Sequence, residues 1–177
     1  MKMGLTRTIL SIVLASAAAS GVAADWPQWR GPNGNGTSSE TGLVATWNPT
    51  TLENVVFRIP HVGRSTPAVF DGRVCASGRA DGRYETVGCW SAKDGSKLWE
   101  RRFVVHNTTI PFSRVGWASV SGDPETGYLY HQNGDGQLVA FDRAGKTVWQ
   151  VRLGEEMGRS SGYGGRTHSP LIDGNSL

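Results

Sequence analysis

The apolar run near the start of the chain is too short for a comfortable membrane span and lacks a stop-transfer flank. This run, "ILSIVLASAAA", follows Lys2 and Arg7 and precedes the small residues "SGVAA". A basic start, a short apolar core and small residues are typical of a secretory signal peptide. We therefore predict a signal peptide over residues 1–24 and export to the periplasm or the extracellular space. No cysteine lies near the cleavage point, so no lipid anchor is expected.

The chain also lacks a strong excess of charge of one sign. Its 18 Lys and Arg oppose 15 Asp and Glu, and the formal charge is +3. Lys2 and Arg7 lie in the signal segment, which holds no acid, so removal of the segment lowers this charge to +1. We see no footprint of nucleic-acid binding. Long helix-forming runs are few, whereas 24 Gly and 7 Trp favour many short strands and turns.

Cysteine is scarce, and its two positions indicate a hairpin. Cys75 and Cys89 flank the turn signal Asp81-Gly82, and a hairpin centred on Gly82 places the two cysteines opposite each other. Cross-strand Cβ atoms lie ~4.5–5.5 Å apart, which is near the reach of a disulfide. Export permits a disulfide between them, and two buried thiols are the alternative. The disulfide is favoured.

What the chain does have is an internal repeat. The segments "DGSKLWERRF" and "RAGKTVWQVRL" place Trp99 four residues after Gly95 and Trp149 four residues after Gly145, and the two Trp are 50 residues apart. A hairpin with a Gly-rich turn and a short apolar strand precede each segment. Four antiparallel strands in a unit of ~40–50 residues are typical of a β-propeller blade. We predict that each Trp lies on the outer strand of its blade and packs between neighbouring blades.

The predicted fold class is all-β, a β-propeller of four-stranded antiparallel blades. Blades are predicted at 65–103 and 115–153, after a leader over 25–52. The segment "ENVVFRIP" (53–60), with Phe57 in the aromatic position, is predicted to be the closing strand of the ring, and 166–177 to start a further blade. About two and a half blades cannot close a ring, so we expect an N-terminal fragment of a longer protein. A small β-sandwich is the alternative, although it gives no reason for the repeat.

The two Trp-bearing segments and the leader resemble a known family. "CWSAKDGSKLW" and "VAFDRAGKTVW" resemble the pyrroloquinoline-quinone-like repeat, whose pattern is roughly A-x-D-x-x-T-G-K-x-x-W. "DWPQWRGPNGNGTS" resembles the leader of such propellers in a group of secreted bacterial proteins. Asp142 keeps the Asp of the pattern, whereas Ser91 replaces it in the first repeat, and Asp94 and Ala144 stand in place of Thr. The resemblance implies an eight-bladed ring in the full-length protein.

The resemblance implies two classes of function. Some members are dehydrogenases that use the quinone and calcium to oxidise alcohols or sugars; others are non-catalytic propellers, including the scaffold subunit of the outer-membrane β-barrel assembly machinery. The adjacent cysteines of many alcohol dehydrogenases are absent here, and "NGDG" (133–136) is more simply a hairpin turn than a calcium loop. We expect a binding or scaffolding module that takes a protein or a small molecule on the propeller face, with no cofactor. The quinone- and calcium-dependent dehydrogenase is the alternative.

Candidate site residues are few. Arg64, Arg166 and His168 precede inner strands, whose ends line the mouth of the channel, so they could contact an anionic ligand. Solvated loop positions are the alternative for all three. The other histidines show no metal spacing, and Ser160-Ser161 lacks the strand–elbow–helix context of a hydrolase nucleophile. No catalytic or metal-binding residue is predicted.

Overall fold

The computed structural model describes residues 24–81, 84–106, 110–158 and 168–177. The predictions that rest on residues 1–23, Gly82, Ser160-Ser161 and Arg166 lie outside the described residues. Two sheets of four antiparallel strands make up most of the described chain, and in each sheet the strands follow one another in sequence order. The predicted all-β propeller fold class is confirmed.

The first sheet contains β1 (Ala68–Phe70), β2 (Arg73–Ala80), β3 (Tyr84–Ser91) and β4 (Lys97–Val104). The second contains β5 (Ser121–Gly122), β6 (Leu129–Gln132), β7 (Gln137–Phe141) and β8 (Thr147–Arg152). A 3₁₀ turn at Phe112–Arg114 joins the sheets, and one helical turn, α1 (Leu153–Glu156), follows β8. Among the described residues, the structure contains no helical segment with the length and hydropathy of a transmembrane span.

The hairpin of β2 and β3 has the register that the sequence predicts. Cys75 pairs with Cys89, their Cα atoms are 4.1 Å apart, and the structure joins them as a disulfide. Both side chains are buried in the core between the sheets, which also contains Phe70, Val87, Leu129, Val139 and Phe141. The disulfide therefore joins the two central strands of the first sheet within the buried core.

The repeated glycine turns have the same backbone. The strand pairing shifts between Cys89 and Trp90 in the first sheet and between Ala140 and Phe141 in the second. Gly95 and Gly145 then take φ of 73° and 74°, a left-handed conformation that glycine adopts without steric cost. The Asp142 carboxylate accepts the N–H of Ala144 at 2.9 Å and of Lys146 at 2.8 Å.

In the first repeat Ser91 takes the place of this aspartate. Its hydroxyl accepts the N–H of Lys93 at 3.2 Å, and its carbonyl accepts the N–H of Gly95 at 2.9 Å. The Asp142 carbonyl accepts the N–H of Gly145 in the same way, at 3.0 Å. Ser91, which departs from the family pattern, thus forms the same turn as Asp142, although the turn in the first repeat is one residue longer.

Each repeat contacts the next through an aromatic ring laid on this glycine turn. Trp99 is 6% exposed and lies so close to Gly145 that a Cβ there would overlap its ring. Its Nε1–H donates to the Arg143 carbonyl at 3.1 Å. Phe57 lies on Gly95 in the same manner, since a Cβ there would be 2.7 Å from the Phe57 ring. The close approach explains why glycine occupies both turns.

At the two ends of the repeat array, the closing of the ring by residues 53–60 and the packing of Trp149 between blades stay predictions, because each requires a further blade. Trp149 is 39% exposed, and no glycine turn among the described residues covers it. Its ring packs against Tyr130 of its own sheet, with the ring centroids 5.8 Å apart. Residues 55–60 form no strand, because within the described chain the only pairing of the predicted closing strand is the isolated bridge of Asn48 and Glu53. Phe57 keeps the predicted aromatic contact without a sheet to hold it.

Candidate functional site

The residues that precede the inner strands β1 and β5 are joined directly by hydrogen bonds. The Thr66 N–H donates to the Ser119 hydroxyl at 2.9 Å, and the Ser119 N–H donates to the Ser169 hydroxyl at 3.0 Å. Thr66 precedes β1, Ser119 precedes β5, and Ser169 lies in the segment that repeats the start of the first unit. These two bonds therefore align the inner ends of three successive repeats.

A pocket of about 490 Å³ opens at these inner ends. Its wall consists of two indole rings, two basic side chains and three hydroxyl residues: Trp29, Trp117, Arg64, His168, Thr66, Ser119 and Ser169. The structure thus places Arg64 and His168 on the wall of one pocket, although they are more than a hundred residues apart in sequence. Arg166, the third predicted contact, lies outside the described residues.

The pocket carries positive charge on an aromatic surface. The Arg64 guanidinium lies over the Trp117 ring at 5.9 Å from its centroid, and that of Arg114 lies over the same ring at 5.3 Å. Both distances are within the range of a cation–π interaction. None of the seven lining residues is acidic. The Arg64 guanidinium therefore lies against an indole on a pocket wall that carries no carboxylate.

Hydroxyl groups complete the set of donors. The Ser119 and Ser169 hydroxyls each accept a backbone N–H, and each keeps its own O–H to donate. A guanidinium, an imidazole and hydroxyl donors between two flat apolar rings suit an anionic group attached to an apolar or planar body. The arrangement can bind and orient such a ligand.

Sequence reasoning missed Trp117, Arg114 and the serines, and it included Trp29 only as part of the leader. A signal for Arg114 was present, because "RSTPAVF", "RVGWASV" and "RTHSPLI" are equivalent segments of successive repeats and all begin with an arginine. Trp117 and Ser119 follow that arginine in the second segment. No comparable signal exists for Trp29, which reaches the pocket from the leader.

The remaining histidines lie in other surroundings. His131 is buried beside Glu85 between the sheets, the His106 backbone N–H donates to the Asp135 carboxylate at 2.7 Å, and the His61 ring meets the edge of Trp90 at 4.8 Å. No group of three or more His, Cys, Asp or Glu within the described ranges could hold a metal ion.

The turn at 133–136 does not fit calcium. The Asn133 side-chain oxygen accepts the Gln137 N–H at 2.9 Å, and the Asp135 carboxylate is bonded to the backbone at His106. Calcium takes six to eight converging oxygens. The oxygens of this turn serve the hairpin and a neighbouring loop instead of converging on one point.

The family described as outer membrane protein assembly factor BamB matches residues 28–177. The chain belongs to this family of pyrroloquinoline-quinone-like repeat proteins. The predicted resemblance is thereby confirmed.

Two solved structures are similar to the chain. One is BamB from Moraxella catarrhalis, with a TM-score of 0.47 and 17% identity over 71% of this chain and 31% of that one. The other is the quinohemoprotein alcohol dehydrogenase ADHIIG from Pseudomonas putida HK5, with a TM-score of 0.37 and 22% identity over 54% of this chain and 14% of that one. The chain thus spans less than a third of either protein. No curated protein matches it.

Proposed function

We propose that this protein is an exported, non-catalytic propeller module that binds an anionic group of a protein or small-molecule ligand. The observation that carries the proposal is the pocket in which Arg64 lies over Trp117 and faces the same space as His168. Its volume of about 490 Å³ is typical of ligand pockets, which span roughly 300–1,000 Å³. The family description names an outer-membrane assembly factor, which supports an envelope location and a protein partner.

Binding of the charged group would rest mainly on Arg64. Hydrogen bonds to charged groups contribute roughly 1.5–3 kcal/mol, and ~1.4 kcal/mol corresponds to a tenfold change in affinity. Trp117 fixes the guanidinium from one side, so less side-chain freedom is lost on binding than for an unsupported arginine. The serine hydroxyls donate from an adjacent wall.

The test is calorimetric titration of the intact protein with the dipeptide acetyl-Phe-Ala, once with a free carboxylate and once as the amide. We expect the free acid to bind roughly tenfold more tightly. Arg64→Gln should remove that preference, whereas Arg102→Gln on the outer strand β4 should leave it unchanged. Equal affinity for acid and amide, or a preference that survives Arg64→Gln, contradicts the proposal.

The alternative function is a quinone- and calcium-dependent dehydrogenase. A flat cationic pocket also suits a planar quinone that bears carboxylates, and Arg64 and Trp117 are the residues that would hold it. The described residues supply no calcium ligands of the kind that chemistry requires. Addition of pyrroloquinoline quinone and calcium to the protein tests the alternative: saturable binding together with dye-linked alcohol oxidation would overturn the non-catalytic assignment.

A further inference from the structure

The leader pairs with the free edge of the innermost strand. The Trp26 N–H donates to the Val69 carbonyl at 2.6 Å, and the Val69 N–H donates to the Trp26 carbonyl at 2.8 Å. These two bonds form an antiparallel bridge on the side of β1 that faces away from β2. The leader therefore adds a one-residue β-bridge to the free edge of the first sheet.

Pro27 and Gln28, which follow Trp26, bond to the second repeat and to the segment that starts the third. The Pro27 carbonyl accepts the N–H of Gly122 in β5 at 2.7 Å. The Gln28 side-chain oxygen accepts the N–H of Ile172 at 3.4 Å. Pro27 and Gln28 are both buried. Three consecutive leader residues thus bond to the inner edges of three successive repeats.

A turn just after these residues holds the leader in shape. The Gly31 N–H donates to the Gln28 carbonyl at 2.9 Å, and the Gly36 N–H donates to the Arg30 carbonyl at 2.8 Å. Gly31 has a φ of 79°, and a Cβ there would lie 2.9 Å from the Trp26 ring. The indole of Trp26 therefore lies flat on Gly31, and the leader is a compact element that docks as a unit.

We propose that the inner edges of the three repeats form a groove for an extended peptide of the pattern aromatic–Pro–Gln, and that residues 25–36 are its resident ligand. Most of the bonds use backbone groups, which is the mode of β-strand addition. Proline suits the middle position because its carbonyl is used there and it has no N–H to leave unpaired. Gln28 supplies the side-chain contact that distinguishes one sequence from another.

The groove also adjoins the pocket. Trp29, the residue after Gln28, is one wall of the pocket that contains Arg64 and His168. A peptide in the groove therefore completes this wall. Groove binding itself depends on no anionic ligand, so it can be measured separately from the proposed function.

The first test converts the leader into a separable peptide. A protease site is inserted after Gly42, which is exposed and has open space around its α-carbon, and the intact protein is cleaved there. We expect the leader to stay bound in gel filtration and to be displaced by a synthetic peptide of residues 25–36. A Gln28→Ala peptide should bind roughly two- to tenfold more weakly. Immediate loss of the leader, or equal displacement by a scrambled peptide, overturns the proposal.

The second test needs no cleavage and covers the case in which the cut protein unfolds. Gly31→Ala should push against Trp26 and release the leader, so the Val69 and Gly122 amides should lose at least tenfold of their protection from hydrogen exchange. The amides of β2 and β3 should keep theirs. Gly34→Ala is the control, since Gly34 also has a positive φ (62°) but nothing within 4 Å of an added Cβ. Unchanged protection at Val69 and Gly122, or loss throughout both sheets, contradicts the groove.

Discussion

Trp99 and Trp149 hold the same place in successive repeats, but their surroundings differ. Trp99 is 6% exposed, lies on Gly145 and contacts Phe141 at a centroid distance of 5.4 Å. Trp149 is 39% exposed. The repeat identifies both as aromatic packing positions, but the burial of each depends on the glycine turn that the following repeat lays over it.

Trp99→Ala should therefore destabilise the protein more than Trp149→Ala. Removal of a buried Trp costs about 3–5 kcal/mol, and the exposed ring of Trp149 has less contact to lose. Urea unfolding of both variants, followed by far-ultraviolet circular dichroism, measures the difference. Equal destabilisation by the two substitutions would show that the contact with Gly145 contributes nothing.

His61 should make the stability depend on pH. Its Nε2 is buried and has no hydrogen-bond partner among the described residues. Burial lowers the pKa of His61, against smaller opposing contributions from the Ser77 backbone and Glu100. The unfolded chain, with a histidine pKa of about 6.5, then takes up a proton that the folded chain does not. His61 therefore costs no stability above a pH of about 6.5, and the free energy of unfolding falls as the pH drops below that value.

His61→Gln tests this dependence, because glutamine does not titrate. Between pH 7.5 and 5 the urea midpoint of the parent should fall more steeply than that of the variant. The same slope for both proteins would refute the role of His61. The His61 environment could not be predicted from the sequence, since it comes from Trp90 and Gly78 on strands that pair only after folding.

At the scale of elements, the two sheets share a buried polar contact. Glu85 of β3 and His131 of β6 are both buried, with Glu85 Oε1 3.3 Å from His131 Nε2. The other Glu85 oxygen accepts the Gly134 N–H at 2.8 Å. One carboxylate therefore joins a strand of the first sheet to a strand and a turn of the second.

Loss of one partner should be costly, and replacement of both much less so. Glu85→Ala removes the acceptor of the half-buried Gly134 N–H and the carboxylate beside the buried His131 ring, and a polar group left unsatisfied in this way costs about 1–3 kcal/mol. The pair Glu85→Met with His131→Leu removes both polar groups and should cost less than the single change. A double-mutant cycle in urea gives the coupling. Additive effects of the two single substitutions would mean that the contact does not couple the sheets.

The strands were far easier to predict than this contact. The Asp81-Gly82 turn signal and the two cysteines predict the register of β2 and β3 locally, because a hairpin joins neighbours in sequence. The Glu85–His131 contact and the pocket join residues of different repeats, and no spacing rule connects Trp29 or Trp117 with His168. The predicted closing strand at 53–60 depends in the same way on a partner edge that its own residues do not specify.

At the scale of the whole molecule, the repeats are coupled on both sides. Aromatic rings on glycine turns join them at the outer strands, and the hydroxyl bonds and the leader join them at the inner ends. In a linear repeat array, the stability is the sum of the units and of the interfaces between neighbours. Damage to one interface should therefore affect cooperativity as well as total stability.

Gly145→Ala is the sharpest test of this coupling. A methyl group there would overlap Trp99, in addition to the cost of a positive φ, about 1–2 kcal/mol. Gly72→Ala carries the same backbone cost at a φ of 68° but has open space around the added carbon. With Gly145→Ala we expect β5 to β8 to lose hydrogen-exchange protection before β1 to β4, which the disulfide fastens, so that one unfolding transition becomes two. If Gly145→Ala instead behaves like Gly72→Ala and unfolds in one step, the outer aromatic contact is not what couples the repeats, and the inner ends and the leader must do so.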